Sequence, residues 1–335
     1  MSGEPLHHGG RLDAAIARFG GERGDWLDLS TGINRNAYPV PQLVPNVWND
    51  LPDAVATEIA TQAVRAAYDA PDDAAVSLAA GSQAHIQLLP WLFAAQDVAV
   101  VGTTYQEHAA CWRRAGHEVT TADGLESAEA SARIVIVVNP NNPDGQQNEP
   151  KDLIELARRL ASRGGMLVVD EAFGDVAPQL SIAAAAGKPG LAVLKSLGKF
   201  YGLAGIRFGA LLTNPKLAEQ VDERLGPWAV SGPALDVAAK ALTNAEWRDR
   251  ARVELKAMRK KLEDALSKAS FDIEGHTDLF VLASHSEGPA IWEHLARNHI
   301  LVRSFVDRHN WLRFGLPANA GELMRLKAAL KAFEG

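Results

Sequence analysis

One turn between two apolar runs reads SLGKFYGLAGIR, from Ser196 to Arg207. The flanking runs, Leu191–Leu194 and Ile206–Leu212, have the composition of short buried strands. Small residues in the turn let a planar ligand pack closely against Lys199, and a lysine desolvated there becomes a nucleophile that forms a Schiff base with an aldehyde. The serine and the arginine that bound the turn provide donors for a phosphate. The alternative interpretation is an exposed loop lysine followed by a glycine-rich turn.

The chain before this turn alternates between apolar runs and helical patterns. The predicted strands are Gln96–Val101, Arg133–Val138 and Met166–Asp170, and the predicted helices are Ser82–Phe93, Glu107–Ala115 and Lys151–Arg163. Such alternation is typical of an α/β fold with a mostly parallel sheet between two layers of helices. The strands are apolar along their whole length, which agrees with a sheet covered on both faces.

The pattern changes after Asn214, where long amphipathic helices begin. The predicted elements there are the helices Ala234–Leu242, Ala245–Lys268, Pro289–Asn298 and Ala320–Phe333 and the strands Phe271–Ser284, Ile300–Phe305 and Trp311–Gly315. We interpret this part as a second, smaller α+β domain. The predicted organisation is an N-terminal segment at 1–52 that packs on the small domain, a large domain at 53–225, and the small domain at 226–335.

Composition narrows the class of protein. The 335 residues suggest about two domains, at ~150 residues per domain. The net charge of −7 gives no basic field for nucleic acid or an anionic membrane. One cysteine, Cys111, excludes a disulfide framework, and the histidines lack the spacing of metal ligands, so no metal is expected. No apolar stretch is long enough to span a membrane, and we expect a cytoplasmic enzyme.

Further candidate residues follow the ends of the predicted strands. Asp170 ends the run MLVVD, where a carboxylate can pair with a protonated ring nitrogen or simply cap the next turn. Asn142 lies in the turn NPNNPDG and can donate to a phenolate oxygen. Gly81 and Ser82 open a helix, whose N–H groups can bind phosphate. Tyr105 can stack on an aromatic ring, although a tyrosine at such a boundary is more often a packing residue.

Taken in order and with their intervals, these motifs resemble the fold-type I pyridoxal 5′-phosphate enzymes. The branch concerned holds histidinol-phosphate aminotransferase and threonine-phosphate decarboxylase, and the resemblance covers nearly the whole chain. It implies a large domain with a mostly parallel mixed sheet, a smaller α+β domain, a homodimer and pyridoxal 5′-phosphate as cofactor.

The resemblance also implies roles for individual residues. Lys199 corresponds to the lysine that forms the Schiff base with the cofactor and acts as the catalytic acid or base. Arg313, in NWLRFG, corresponds to the arginine that binds the substrate α-carboxylate. The other implied cofactor contacts are Asp170 to the pyridine nitrogen, Asn142 to O3′ and towards the substrate, Tyr105 to the ring face, and Gly81, Ser82, Ser196 and Arg207 to the phosphate.

Three features favour the decarboxylases of cobalamin biosynthesis within this branch. They are His8-Gly9-Gly10 near the start, the segment DLSTGIN that ends at Asn34, and ILVRSF with Arg303 shortly before Arg313. The resemblance implies that His8, Asn34 and Arg303 bind the substrate phosphate. The reaction would be decarboxylation of L-threonine O-3-phosphate to (R)-1-amino-2-propanol O-2-phosphate, which makes the enzyme a carboxy-lyase.

Two other functions stay open. An aminotransferase, such as one for histidinol phosphate, would use the same cofactor residues, with Lys199 moving a proton instead of restoring one after CO₂ loss. A catalytically inert cofactor-binding scaffold is a more remote alternative, which the intact set of cofactor residues disfavours.

Three positions depart from the family pattern. Phe173 replaces the tyrosine of DEAY, which removes a hydroxyl donor to the cofactor, and Gly198 replaces a second serine before the lysine. Leu51 replaces the tyrosine of a Tyr-Pro-Asp segment that reaches the partner subunit's cofactor in the aminotransferases. Tyr38 is the candidate replacement for that contact.

Overall fold

The structure, a computed structural model, describes residues 9–333. These residues form two compact units. Unit 1 contains residues 9–36, 143–145 and 248–333, and unit 2 contains residues 37–142 and 146–247. Residues 37–52, which we had assigned to the N-terminal segment, thus belong to unit 2, where Val47 packs on the helix that begins at Gly232.

Strands and helices are numbered in chain order. The strands are β1 (Leu27–Leu29), β2 (Ala75–Ala79), β3 (Asp97–Val101), β4 (Glu118–Ala122), β5 (Ile134–Val138), β6 (Met166–Asp170), β7 (Leu191–Ser196), β8 (Gly209–Thr213), β9 (Asp272–Thr277), β10 (Phe280–Ser284), β11 (Ile300–Ser304) and β12 (Trp311–Gly315). The helices are α1 (Leu12–Phe19), α2 (Asn46–Asn49), α3 (Ala54–Ala67), α4 (Ser82–Leu88), α5 (Glu107–Arg114), α6 (Leu125–Ser131), α7 (Pro150–Ser162), α8 (Pro215–Leu225), α9 (Gly232–Thr243), α10 (Ala245–Lys268), α11 (Gly288–Arg297) and α12 (Ala320–Lys331).

Unit 2 is built on a mixed sheet with the strand order β2-β8-β7-β6-β5-β3-β4. Its strands pair in parallel, except that β8 runs antiparallel to both of its neighbours. Every residue of β5 and β6 is buried, which explains their unbroken apolar sequences. The parallel strands bring their carboxyl ends to one edge of the sheet, where open α/β sheets bind ligands.

Unit 1 contains a second sheet, with the order β1-β11-β12-β10-β9. The expected strand Phe271–Ser284 is wrong, because a turn at Asp278 and Leu279 divides it into the hairpin β9–β10. The Thr277 hydroxyl accepts from the N–H of Leu279, and Asp278 accepts from Arg259 at 2.6 Å, so both contacts hold the chain in the turn.

A second boundary also differs from expectation. The strand predicted at Ile206–Leu212 begins only at Gly209, because Ala204–Ile206 form a short 3₁₀ helix and Arg207 adopts a left-handed conformation with φ of 54°. Within residues 9–333, no helix is long and apolar enough to cross a membrane.

Candidate active site

A cavity of about 220 Å³ lies in unit 2, at the carboxyl ends of β5, β6 and β7. It brings together side chains that are far apart in the sequence. Seven of the residues expected to bind the cofactor line it: Ser82, Tyr105, Asn142, Asp170, Ser196, Lys199 and Arg207. The eighth, Gly81, precedes α4 and contacts Arg207. The structure therefore brings together all eight residues that the sequence analysis expects to bind the cofactor.

Asp170 is fixed by two hydrogen bonds at the end of β6. Its side chain is buried, and its Oδ1 accepts from the N–H of Ala172 at 2.9 Å. Its Oδ2 lies 2.9 Å from Nε2 of His108, which is also buried. With one imidazole on one oxygen and a backbone N–H on the other, the carboxylate is held in one orientation.

His108 is not among the residues that the sequence analysis names. Helix α5 buries it directly behind Asp170. Its backbone N–H donates to the carbonyl of Tyr105, so the two rings lie one helical turn apart and meet edge to face. That spacing of three residues after a cavity-lining aromatic is the signal that could have found it.

Lys199 lies in the turn that follows β7. Its carbonyl accepts from the N–H of Gly202 at 3.1 Å, which closes the turn. Its ammonium lies 5.6 Å from the ring centroid of Phe173, a buried side chain that also lines the cavity. The position that departs from the family's tyrosine thus presents an aromatic face, and no hydroxyl, to the lysine.

Arg207 and Gly81 form the polar end of the cavity. Gly81 has a φ of 84°, and a Cβ atom at this position would lie 2.6 Å from Nη2 of Arg207. The guanidinium therefore fills the space that any other residue at position 81 would need. Together with the hydroxyls of Ser82 and Ser196, this donor set fits a phosphate group.

The loops that carry Tyr105 and Asn142 are tied to each other. Thr104 donates to Oδ1 of Asn141 at 2.6 Å, and Nδ2 of Asn141 donates back to the carbonyl of Thr103 at 2.9 Å. The hydroxyl of Tyr105 donates to Gln83 at 3.1 Å. Hydrogen bonds therefore hold the NPNNPDG turn at Asn141, and the next residue, Asn142, lines the cavity.

Two further predicted residues, Arg303 and Arg313, are neighbours in unit 1. They lie directly opposite each other on the antiparallel strands β11 and β12, so their side chains share one face of the sheet. Arg313 is only 3 % exposed and donates to the carbonyl of Ser30 at 3.1 Å. Burial, and then the positive charge of Arg303, hold the pKa of Arg313 well below its usual range.

Arg303 also lines a cavity of about 600 Å³ in unit 1, together with Gly9, Gly10 and Ser30. A Cβ atom at Gly9 would lie 3.8 Å from Nη1 of Arg303, so the chain immediately after His8 passes beside this arginine. His8 itself lies outside the described residues.

Asn34 is buried elsewhere in unit 1. It lines a different cavity, of about 280 Å³, and its side-chain oxygen accepts from the N–H of Asn36 at 2.9 Å. The structure therefore places Arg303 beside Arg313 and the chain at residue 9, but it does not place Asn34 in the same cavity as Arg303.

Tyr38 does not replace the missing Tyr-Pro-Asp contact. Its ring is buried in unit 2 against Trp247, and its hydroxyl donates to the carbonyl of Lys240 at 3.2 Å. The hydroxyl is thus bound within its own chain. Within residues 9–333, no group of three histidine, cysteine or acidic side chains is arranged to hold a metal ion.

Comparisons with known proteins find relatives that match nearly the whole chain. The family model for aminotransferase class I and II matches residues 48–332. The chain is 43 % identical to the threonine-phosphate decarboxylase of a Sinorhizobium species, over 98 % of this chain and 99 % of the relative. It is 40 % identical to the threonine-phosphate decarboxylase of Pseudomonas aeruginosa, over 98 % of both chains.

A solved structure is also similar. Histidinol-phosphate aminotransferase from Sinorhizobium meliloti, in complex with pyridoxal 5′-phosphate, superposes with a TM-score of 0.84 at 20 % identity, over 97 % of this chain and 94 % of that one. This likeness confirms the predicted fold, with its mostly parallel mixed sheet and smaller α+β part. The family resemblance that the motifs indicated is confirmed as well.

Proposed function

Because the chain belongs to the aminotransferase class I and II family, we propose that it removes CO₂ from L-threonine O-3-phosphate, with pyridoxal 5′-phosphate as cofactor. The product is (R)-1-amino-2-propanol O-2-phosphate, and the reaction belongs to cobalamin biosynthesis. The decarboxylases that the chain matches along its length support this choice over other enzymes of the family.

One observation carries the substrate class. Arg303 and Arg313 are like charges that face each other across two strands, and Arg313 is buried. Two guanidinium groups in this position repel each other, and the burial of Arg313 strengthens the repulsion because little water screens it. An anion that binds between or beside two guanidinium groups offsets that repulsion. A substrate with a carboxylate and a phosphate supplies two anionic groups to the arginines.

The residues of the unit 2 cavity fit the cofactor. Asp170 would hold a proton on the pyridine nitrogen, Asn142 would donate to O3′, and Tyr105 would pack on the ring. Arg207, the two serines at 82 and 196, and the backbone at Gly81 would hold the phosphate. When bound, pyridoxal 5′-phosphate supplies a conjugated ring that accepts the electron pair left as a bond to the α-carbon breaks.

The chain's own groups decide which bond breaks. Arg313 binds the α-carboxylate, and Arg303, with His8, binds the phosphate at the other end of the substrate, whereas Asn34 lines a different cavity and is left out of this role. Anchoring both ends fixes the rotation about the bond to the amine nitrogen, which favours loss of CO₂ over loss of the α-proton. Lys199 then donates a proton to the α-carbon as the general acid.

An aminotransferase is the second candidate. The likeness to histidinol-phosphate aminotransferase favours it, since the fold and the cofactor residues would serve both reactions. In that case Lys199 would remove the α-proton as a base. A catalytically inert scaffold is disfavoured by the intact set of Lys199, Asp170, Asn142 and Arg207 in one cavity.

The test follows product mass and CO₂ release from L-threonine O-3-phosphate with the cofactor-loaded protein. We expect aminopropanol phosphate and one equivalent of CO₂, and Lys199→Ala should lose both turnover and the visible absorption of the bound cofactor. A keto acid without CO₂ would identify an aminotransferase. If Lys199→Ala kept the absorption band, the assignment of that lysine would be wrong.

Homodimerisation is also part of this proposal. Six of the twelve large apolar side chains that stand exposed among the described residues fall between positions 40 and 59: Val40, Val44, Trp48, Leu51, Val55 and Ile59. Val55 and Ile59 lie one turn apart on α3 and share a face. An apolar surface of this kind marks a protein interface. The cytoplasmic location expected from the composition remains a prediction.

Light scattering during gel filtration tests the dimer. The wild-type protein should have twice the mass of one 36.0 kDa chain. The double variant Val55→Glu/Ile59→Glu should shift it towards one chain. The matched control is Val253→Glu, which charges an equally exposed valine on α10 and should leave the mass unchanged. A monomeric wild-type protein would refute the dimer.

A further inference from the structure

A cluster of buried charged residues lies next to the cofactor cavity but is not among the residues that line it. Glu171 follows Asp170 at the end of β6, and Lys195 precedes Ser196 at the end of β7. Glu171 is 0 % exposed and Lys195 is 1 % exposed, and the two side chains form an ion pair. Neither belongs to the set of residues assigned above to the cofactor or the substrate.

The alternation of side chains along a strand explains this placement. Asp170 pairs with Leu194 across the parallel strands, and the N–H of Glu171 donates to the carbonyl of Leu194 at 3.0 Å, so Glu171 and Lys195 are neighbours. Successive side chains point to opposite faces of a sheet. Asp170 and Ser196 therefore point into the cavity, while Glu171 and Lys195 meet on the other face.

Neighbouring residues form hydrogen bonds with both members of the ion pair. Glu171 accepts from the hydroxyl of Ser181 at 2.6 Å and from the N–H of Ile182 at 2.8 Å. Lys195 donates to the same hydroxyl at 3.1 Å, and its ammonium lies 4.2 Å from the ring centroid of Tyr68. A buried ion pair contributes little net stability compared with apolar residues of the same volume, so stability alone does not account for it.

We propose that Glu171 and Lys195 are positioning residues, which fix the spacing between the carboxylate of Asp170 and the hydroxyl of Ser196. The ion pair joins the carboxyl ends of two adjacent strands, and each strand carries one cavity residue beside its member of the pair. The inference rests on the proposed cofactor, because the two cavity residues would hold two separate groups of pyridoxal 5′-phosphate: its ring nitrogen and its phosphate. A ligand that carries both groups depends on that spacing, and a ligand that carries only one of them does not.

The double variant Glu171→Gln/Lys195→Met tests this idea. It removes both charges together, so no charge is left buried alone, and glutamine retains an acceptor for Ile182. Dissociation constants for pyridoxal 5′-phosphate and for pyridoxal, which lacks the phosphate, are measured on cofactor-free full-length protein by absorbance. We expect the constant for pyridoxal 5′-phosphate to rise at least tenfold and that for pyridoxal to change less than twofold.

The control is Glu129→Gln/Arg159→Met, which neutralises an ion pair in the same unit that lies on the surface, with contacts of 2.8 and 2.9 Å. It should alter neither constant. Equal weakening of both ligands by the Glu171/Lys195 variant would show general loosening, and unchanged binding would show no role, so either result overturns the inference. If the wild-type protein itself fails to bind pyridoxal 5′-phosphate, the proposed function fails instead.

Discussion

Two pairs of charged side chains lie on, or directly after, neighbouring strands, and the pairs differ in sign. In unit 2, Glu171 and Lys195 are opposite charges, with a hydroxyl and a backbone N–H adding further contacts. In unit 1, Arg303 and Arg313 are like charges in direct register. The first pair combines opposite charges, whereas the second combines like charges whose repulsion a bound anion would reduce. The comparison sets a pair that we propose to position cavity residues against a pair that we propose to bind the substrate.

The largest effect is expected when only one member of the Glu171–Lys195 ion pair is replaced. Lys195→Met leaves the carboxylate of Glu171 buried without its cation, which should lower the free energy of unfolding by about 3–5 kcal/mol. Denaturant unfolding of the cofactor-free protein measures this loss. The double variant with Glu171→Gln should recover most of it. Equal stability of the single variant and the wild-type protein would show that the carboxylate is protonated or solvated when alone.

Removing one arginine of the like-charged pair should act in the opposite direction. Arg313→Leu removes a desolvated cation, so the free energy of unfolding should rise or stay unchanged. kcat/KM for L-threonine O-3-phosphate should fall about 100-fold, the scale of a lost contact of up to 3 kcal/mol between charged groups. Steady-state kinetics and denaturant unfolding on the same preparation give both quantities. A variant that loses stability and activity in parallel would contradict the distinction between the two pairs.

The binding of inorganic phosphate tests whether the arginine pair binds anions. Inorganic phosphate at ten times its dissociation constant should add about 1.4 kcal/mol to the stability of the cofactor-loaded wild-type protein. Arg303→Met should lose this stabilisation, because Arg303 is the proposed phosphate ligand. Thermal unfolding with and without phosphate measures the difference, and sulfate serves as a second anion. Stabilisation that persists in Arg303→Met would place the anion elsewhere.

His85 differs from both pairs, because it is a buried titratable group without a charge. His85, on α4, is completely buried, and burial lowers its pKa to about 3. Its Nε2 lies 3.3 Å from the hydroxyl of Ser77, which donates to Asp222. The neutral ring therefore donates from Nε2, and protonation at Nδ1 would bury a second N–H that has no hydrogen-bond partner among the described residues.

His85 should produce the smallest of these effects, a change in how the free energy of unfolding depends on pH. Below the unfolded-state pKa of 6.5 the unfolded chain binds a proton that the folded chain does not, down to about 3, so acid should destabilise the protein. Between pH 7 and 5.5 the loss should be about 1 kcal/mol. His85→Gln should remove that part of the slope in denaturant titrations at both pH values. The same slope in wild type and variant would show that His85 is not its source.

Much of unit 2 could be predicted from the sequence. The predicted strands Met166–Asp170 and Arg133–Val138 coincide with β6 and β5 within one residue, because strands buried on both faces must be apolar throughout. The proposed cofactor residues could be predicted for a related reason. They follow the ends of such strands, so a local motif fixes their place in space.

Other features depend on contacts that a local pattern does not contain. The strand Glu118–Ala122 lies at the edge of the sheet and is mostly polar and exposed, so it carries no apolar run. The hairpin turn at Asp278 is set by Arg259, which is distant in sequence. His108 was missed because its importance arises from Asp170, 62 residues later. Asn34 and Arg303 were grouped by resemblance alone, and the structure places them in different cavities.

The pairing of β1 with β11 has a consequence for biosynthesis. Leu27 pairs with Ile300 in parallel register, so β1 finds its partner only after about 270 more residues have been made. At ~5–20 residues per second this takes about 15 to 55 seconds, during which all of unit 2 has been synthesised. The nascent chain therefore carries β1 unpaired until β11 is made, and the last strand of the unit 2 sheet, β8, is completed before then. Slowed synthesis of the last third of the message should prolong this state and increase the need for chaperones.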